Sequence, residues 1–461
     1  LYFSQAILSI SIMKQRDDIL FDLEKIEYLL ESSEQELRAF MEELHPSEIA
    51  KILELLKDAK RQTLINLLPI DIASEAISEM DPESHPEKLL ESLNKDLVTN
   101  IVEELSYDDA TDIVSQLSEA KRDEILDRID EEDAAEIRKL LTYSEDTAGG
   151  LMSTEFIKIH FNTTKKEALE DVAHQSEEIE TFYAIYVVDD ESKLVGTVSL
   201  KNLIKAKPHV KIADILDEDL VYAEVNTDQE EVAKLLSQYN LPGIPVVDSN
   251  MSLLGVVSFD DVIDVLEEET TEDILKIANV SDEEELSGNW KDAIKSRVPW
   301  LLVNMLTAFM ASSVVYFFQP TIQKITLLAT FMPIIAGMGG NAGTQALAVT
   351  IRRISLNTLP DSKVFETVSK EVLVGIFNGL FFGIIVSIVA IFNNHSAMLG
   401  VVVFLAMFGN LIIAGIVGVS VPIILEKLGF DPAVASSIFL TAFTDTLGFL
   451  LVLGLGSYFL L

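Results

Sequence analysis

Cysteine is absent from the 461 residues, which excludes disulfides and thiolate metal sites alike. Basic residues are scarce: 34 Lys and Arg stand against 75 Asp and Glu, a formal charge of -41. From Lys291 onward there are nine basic and seven acidic residues, so the excess of acid belongs almost wholly to the first part of the chain. Such a surface repels nucleic acid and anionic lipid and attracts multivalent cations. No P-loop, phosphorylatable-aspartate motif or nucleophile–base constellation is evident, which disfavours an ATP-driven pump and an enzyme. The opening Leu1-Tyr2-Phe3-Ser4-Gln5 reads as the scar of a cleavable tag and is set aside from the fold.

What the last third has instead is long apolar blocks. Val298–Phe318, Ile325–Ile351, Val368–Phe392, Leu399–Leu425 and Ala433–Leu461 each approach or exceed the ~20 residues that cross a bilayer. The expectation is an all-α transmembrane domain of five helices. Lys291, Lys295 and Arg297 precede the first block, Arg352, Arg353 and Lys363 follow the second, and Lys427 follows the fourth. The positive-inside rule then puts the acidic N-terminal half in the cytosol and the C-terminus outside.

Two features within the blocks call for chemistry. Gly337-Met338-Gly339-Gly340-Asn341-Ala342-Gly343-Thr344-Gln345 holds four glycines, which weaken a helix and free carbonyls. Irregular backbone at membrane depth is tolerated only where protein or a water-filled cavity surrounds it. Close helix packing through small residues is the competing reading. The second feature is Asp445, the only acid well inside a block; Glu371 and Glu426 lie near predicted ends. A carboxylate there is costly and marks an ion or proton path, unless it serves only a structural hydrogen bond to Asn410 or a backbone group. Mg²⁺ dehydrates reluctantly and is held through few carboxylates with its waters retained, so one carboxylate per subunit across a two-fold axis would suit it.

The cytosolic part begins with a loose repeat. Leu68-Pro-Ile-Asp71-Ile-Ala73, Leu105-Ser-Tyr-Asp108-Asp-Ala110 and Ile129-Asp-Glu-Glu132-Asp-Ala134 share an apolar-x-x-acid-x-Ala pattern, each followed by apolar residues at helical spacing. This reads as an α-helical superhelix of short stacked helices, with acids near their N-termini. Asp108 and Asp112, four apart, share a helix face. From about Leu151 to Leu266 a strand–helix unit occurs twice: Tyr183-Ala-Ile-Tyr-Val-Val-Asp189 with Leu194-Val-Gly196-Thr-Val-Ser199 matches Gly243-Ile-Pro-Val-Val-Asp248 with Leu254-Gly255-Val-Val-Ser258. The duplicated unit resembles an α/β CBS-domain pair, whose nucleotide motif is complete in the second copy as Gly255, Ser258 and Asp261 and ends in Asn202 in the first.

Tyr143-Ser-Glu-Asp-Thr-Ala-Gly-Gly-Leu-Met152, the Gly-Gly-Asn-Ala-Gly-Thr-Gln segment, Phe430-Asp431-Pro432-Ala433 leading to Asp445, and the domain order all resemble the MgtE family over essentially the whole chain. The resemblance implies a homodimeric, multi-pass Mg²⁺ channel of the cell membrane, closed by cytosolic Mg²⁺. It implies that Asp445 selects the ion, with Asn341, Gly340, Thr344, Gln345 and Thr441 along the pore. It implies a plug helix at about Glu284–Arg297, and regulatory Mg²⁺ ligands Glu75, Asp108, Asp112, Glu230, Asp261, Asp264, Glu269, Glu272 and Asp273. ATP at the CBS pair is a further expectation. Against it, Asn240 and Leu241 stand where some relatives have an acid and an aromatic, removing one Mg²⁺ contact and the stacking surface. The expected division is 1–20, tag scar and N-terminal helix; 21–142, acidic superhelix; 143–206 and 207–270, CBS domains; 271–297, acidic linker and plug helix; 298–461, pore domain.

On a helix Asp261, Asp264 and Glu268 recur on one face. Like charges about 5 Å apart repel by ~3 kcal/mol at an effective dielectric near 20, enough to hold domains apart until divalent cations bridge them. The rivals are the same architecture carrying another divalent ion such as Co²⁺, Mn²⁺ or Ca²⁺, and a non-transporting membrane sensor of Mg²⁺ or nucleotide. A CBS-regulated anion channel is disfavoured by the pore carboxylate.

Overall fold

The computed structural model describes residues 23–461 apart from 24, 27, 31, 177–178, 180–183, 279, 281–289, 356–358, 395 and 435; the tag scar, Tyr183 and the start of the expected plug helix lie outside the described residues. Two units emerge, 1–269 and 270–461.

The repeat in the first unit has a local cause. Its acids occupy the second position of helices α1 (Ile70–Ser78), α2 (Tyr107–Ser115) and α3 (Glu131–Leu140), as Asp71, Asp108 and Glu132. There the unpaired N–H groups and the helix dipole favour negative charge. Two residues on, Ala73, Ala110 and Ala134 turn inward and are buried. With Glu34–Met41, Pro46–Leu55, Lys95–Glu104 and their neighbours, these short helices share one apolar core running from Ile26 to Ile137.

The duplicated segment folds into two three-stranded sheets of the same topology: β1 (Lys158–His160), β2 (Ile185–Val188) and β3 (Leu194–Val198), then β4 (Ala223–Glu224), β5 (Gly243–Val247) and β6 (Leu253–Ser258). In each, the middle strand runs parallel to the first and antiparallel to the third, with Ile185 opposite Val198 and Gly243 opposite Ser258. The turns before β3 and β6 answer one another: Leu194 N–H donates to the Met251 carbonyl at 2.9 Å and Leu253 N–H to the Ser192 carbonyl at 3.3 Å. Asn240 has φ 51° and caps the helix Gln229–Tyr239, a left-handed position that suits Asn. Leu241 packs against the core of the second sheet. Both departures from the family pattern therefore serve the local fold.

Helix α4 (Phe259–Ile277) begins in the first unit and ends in the second. Among the described residues the second unit then holds five long helices: α5 (Trp290–Phe317), α6 (Leu327–Ser355), α7 (Val364–Asn394), α8 (Ala397–Lys427) and α9 (Ser436–Leu460). Four are long and apolar enough to cross a membrane, within α5, α7, α8 and α9, at mean hydropathies of 1.7 to 2.5. The remaining one, α6, carries the glycine-rich segment, whose Gly, Asn, Thr and Gln dilute its hydropathy. Residues 290–297, the described part of the expected plug helix, are the first turns of α5.

The glycines do not break α6, contrary to expectation: it runs unbroken from Leu327 to Ser355. Two of them are notches. A Cβ on Gly339 would lie 2.2 Å from Asn410 Nδ2, and one on Gly343 2.4 Å from Leu440 Cδ1. The ~1 kcal/mol that each glycine costs a helix is offset where the backbone gains this close approach.

Candidate functional site

The other two glycines face the opposite way. A Cβ on Gly337 or Gly340 would meet no atom within 4 Å, and Asn341, Thr344 and Gln345 are exposed beside them. Gly337, Asn341 and Thr344 fall at helical spacing, so they form one polar stripe on α6. On α9, Ser437, Thr441 and Asp445 recur every four residues and form a second stripe. Thr441 Oγ1 is turned back onto the Ser437 carbonyl at 2.9 Å. Thr444, fully buried, bonds the Leu440 carbonyl at 3.0 Å, so the helix itself satisfies it.

The helices meet where Gly343 receives Leu440 and where Gly339 comes beside Thr444. Asp445 is the one acidic residue of α9, which has no basic residue, within a helix otherwise able to span a membrane. Asn410, one of the structural partners considered for Asp445, donates its Nδ2 to the Ile335 carbonyl at 2.8 Å instead. At membrane depth such polar faces on two adjoining helices would demand water, an ion path or a second protein surface, because lipid tails satisfy none of their groups.

The tail of α4 is anchored within the second unit. Asp273 accepts from Ser355 Oγ at the end of α6, at 3.0 Å. Lys276 pairs with Glu272 on its own helix, and with Asp431 at 2.7 Å in the connection between α8 and α9. Burial alone would depress the Lys276 ammonium; the two carboxylates outweigh it and hold the group above its ordinary range. Asp431 also caps the chain by accepting from Ala433 N–H at 2.7 Å, and Ile277 packs on Leu347, Ile351, Ala433 and Leu440. The base that fixes this tail, Lys276, was not among the residues singled out in the sequence, although it is the only base of α4.

In the first unit the acids at the start of α2 lie close enough to those at the start of α4 for their charges to be felt, a cluster called the acidic pocket below. Burial, then the charges of Asp108 and others, pushes Asp109 up to about 6 and Asp112 to about 7. Burial and the same two acids of α2, Asp108 and Asp109, push Glu155 to about 7. Burial raises Asp261 to about 6, although Ser258 Oγ and N–H both donate to it. Asp108 Oδ1 is buried with no hydrogen-bond partner among the described residues. Tyr107 OH donates to Asp133 at 2.9 Å, and Ser106 Oγ to Asp109 at 2.9 Å.

Asp264 is raised by burial and by Glu79, Glu267 and Asp260; Glu268 is raised by burial and by Asp146. Gln229 Nε2 donates to Glu269 at 2.8 Å, and Glu230 pairs with Lys234 at 2.7 Å. Glu75 is exposed on α1; Glu79, just past its end, adds to the charge on Asp109 and Asp264.

Among the described residues no three His, Asp or Glu side chains are arranged to enclose a metal ion. The pocket instead offers carboxylates close enough to repel, and one bare buried acceptor, a donor set that fits a hydrated divalent cation bridging them. Asp109, Glu155 and Glu79 were missed in the sequence. Asp109 sits next to Asp108 and could have been found; Glu155 and Glu79 arrive by tertiary packing. Of the nucleotide motif, Gly255 is filled from one side: a Cβ there would lie 2.7 Å from the Ser153 carbonyl and 2.8 Å from Met152 Sδ.

Comparison with known proteins finds three family models along the chain. The family described as "Divalent cation transporter" (MgtE) matches residues 332–455, the MgtE intracellular N domain 44–146, and CBS domains 148–209 and 212–268. A magnesium transporter MgtE of Thermus thermophilus is 34% identical over 93% of this chain and 96% of its own length. That of Enterococcus faecalis is 38% identical over 71% and 72%. A crystal structure of the cytosolic domain of the Mg²⁺ channel MgtE in complex with ATP superposes with a TM-score of 0.50 at 37% identity, covering 52% of this chain and 97% of that one. The chain, which is not an enzyme, belongs to the MgtE family of membrane divalent-cation transporters.

Proposed function

We propose that the chain imports Mg²⁺ through a path lined by Asp445, Thr441, Asn341, Gly340, Thr344 and Gln345, and that cytosolic Mg²⁺ closes it. The observation that carries the reading is the pair of polar stripes, exposed on α6 and partly buried on α9, with one carboxylate in a helix otherwise fit for lipid. A second copy facing those stripes would complete the path, so the working assembly is a homodimer with five spans per chain. Arg352 and Arg353 at the end of α6 and Lys427 at the end of α8 support an orientation with the first unit in the cytosol and the C-terminus outside. No pump is needed: 100 mV, inside negative, favours entry of a doubly charged ion by ~4.6 kcal/mol.

Closure is a linkage effect. Mg²⁺ binds the packed arrangement of the acidic pocket more tightly than the separated one, and so populates it. Asp108, Asp112, Asp261 and Asp264, joined by Asp109 and Glu155, are the carboxylates that the cation bridges; Glu75, Glu230 and Glu269 act at its margin. Glu272 and Asp273 transmit the movement through the tail of α4. ATP binding to Gly255, Ser258 and Asp261 has its support in the ATP-bound relative, and no detectable binding at millimolar ATP would remove it. The breadth of the family's description supports a second reading, a channel that passes Co²⁺ and Mn²⁺ as well.

The test is ion uptake into proteoliposomes holding the full chain, with Mg²⁺, Co²⁺ and Mn²⁺ compared and Mg²⁺ varied on the side of the first unit. Mg²⁺ uptake that falls as that Mg²⁺ rises supports the proposal. Comparable uptake of all three ions favours the broader channel, and no uptake of any overturns both.

A further inference from the structure

Asn410 is a buried polar side chain that the ion path described above leaves unused. It is fully buried in α8, with Nδ2 on the Ile335 carbonyl of α6 at 2.8 Å. Its Oδ1 is buried as well, and no described residue donates to it. Glycines admit it on two sides: a Cβ on Gly339 would sit 2.2 Å from Nδ2, and one on Gly448 3.2 Å from Oδ1. Gly448 follows Asp445 by three residues on α9, and Gly339 precedes Asn341 by two on α6. Space-filling does not account for an amide here. A leucine of similar volume would leave no orphaned acceptor, and burying a half-satisfied amide is costly. The group therefore earns its place through the helices it joins.

We propose that Asn410 is a positioning residue for ion selection, which by bonding α6 and lodging in the α9 notch fixes the separation of Asn341 from Asp445. The proposal rests on the reading that those two residues line the ion path. Its bond to a main-chain carbonyl sets the depth of α6, and the Gly448 notch sets the rotation of α9, so both stripes keep one register. A hydrated cation bound by few groups is discriminated by the distance between them, because its water shell tolerates little compression.

The experiment is uptake of Mg²⁺ and Mn²⁺ into proteoliposomes of the full chain carrying Asn410→Leu, Asn410→Ala, Gly339→Ala, Gly339→Ala with Asn410→Ala, or Asp445→Ala. Asn410→Leu is expected to raise the half-saturating Mg²⁺ and to lower the Mg²⁺:Mn²⁺ uptake ratio, each by about threefold or more, the range in which directly contacting residues couple. Gly339→Ala displaces the amide and shifts the ratio in the same direction. The double variant is no worse than Asn410→Ala alone, because the new methyl then enters vacated space. An Asn410→Leu protein with unchanged ratio and half-saturation overturns the proposal; if that protein does not fold, an unchanged ratio in Gly339→Ala does so. Asp445→Ala keeps the two readings apart: full uptake in that variant removes the ion path itself, whereas lost uptake there with parental selectivity in the Asn410 and Gly339 variants removes only the role of Asn410.

Discussion

Replacing Lys276 by Met tests how the acidic helix is fastened to the membrane unit. The Lys276 side chain is 17% exposed, and its partners Glu272 and Asp431 are 26% and 33% exposed. A hydrogen bond to a charged group contributes ~1.5–3 kcal/mol, and partial exposure screens it, so about 2 kcal/mol for the pair of contacts is a fair working figure. Methionine keeps the stem and removes the positive charge that stands between the Glu272 and Asp431 carboxylates. Docking of the α4 tail then depends on a divalent ion to bridge Glu272 and Asp431. A loss of about 2 kcal/mol corresponds to a ~30-fold shift in the docking equilibrium. In inside-out patches with Mg²⁺ titrated on the cytosolic face, Lys276→Met should need more Mg²⁺ for half-maximal closure, by up to about 30-fold. Adding Asp431→Asn should recover part of that shift, since removing both charges leaves no unpaired carboxylate opposite Glu272. Superimposable closure curves for the parent and Lys276→Met would refute the reasoning, as would a double variant whose shift is the sum of the single ones.

Two further outcomes follow from the same coordinates. Asp109 and Asp261 are raised to about 6, and Asp112 and Glu155 to about 7, so the packed pocket holds more protons than separated acids with ordinary values near 4. Its stability is therefore gained as pH falls from about 7 toward about 4 and lost as pH rises through the raised values. At fixed low Mg²⁺, open probability should fall when cytosolic pH is lowered from about 8 to about 6, and a constant or rising open probability would contradict the packing. Gly255→Ala pushes a methyl against the Ser153 carbonyl, a backbone atom that cannot swing aside, and should destabilise the CBS region by about 1–3 kcal/mol. Thermal unfolding of the full chain reads this out, with Gly340→Ala as the control at an open position.

Much of the fold was legible because its signals are local. The acid and alanine of each repeat mark a helix start and a buried face, and both hold at Asp71 and Ala73, Asp108 and Ala110, and Glu132 and Ala134. The glycine-rich segment was misread because glycine weakens a helix in isolation, whereas here Gly339 and Gly343 face partners that need the room. Whether a glycine is a break or a notch depends on the helix opposite, and the sequence of one helix does not contain that information. Polar residues at membrane depth stood out singly, as Asp445 and Asn341 did; the split of the segment into a packed face and an open face did not. The acidic pocket was half visible: Asp108, Asp112 and Asp261 came from motif resemblance, while Glu155 and Glu79 depend on contacts across the chain. Lys276 carried a readable sign, the lone base of an acidic helix, but its partner Asp431 lies 155 residues away.

The most direct test of the ion path is Mg²⁺ flux into proteoliposomes of the intact chain, of Asp445→Ala and of Asp445→Asn, at low Mg²⁺ on the side of the first unit. The account predicts strong uptake by the intact chain, uptake abolished in Asp445→Ala, and uptake reduced at least about tenfold in Asp445→Asn, which keeps the shape of the side chain but not its charge. Equal uptake by all three well-folded proteins would show that the carboxylate of α9 does not lie on the path of the ion.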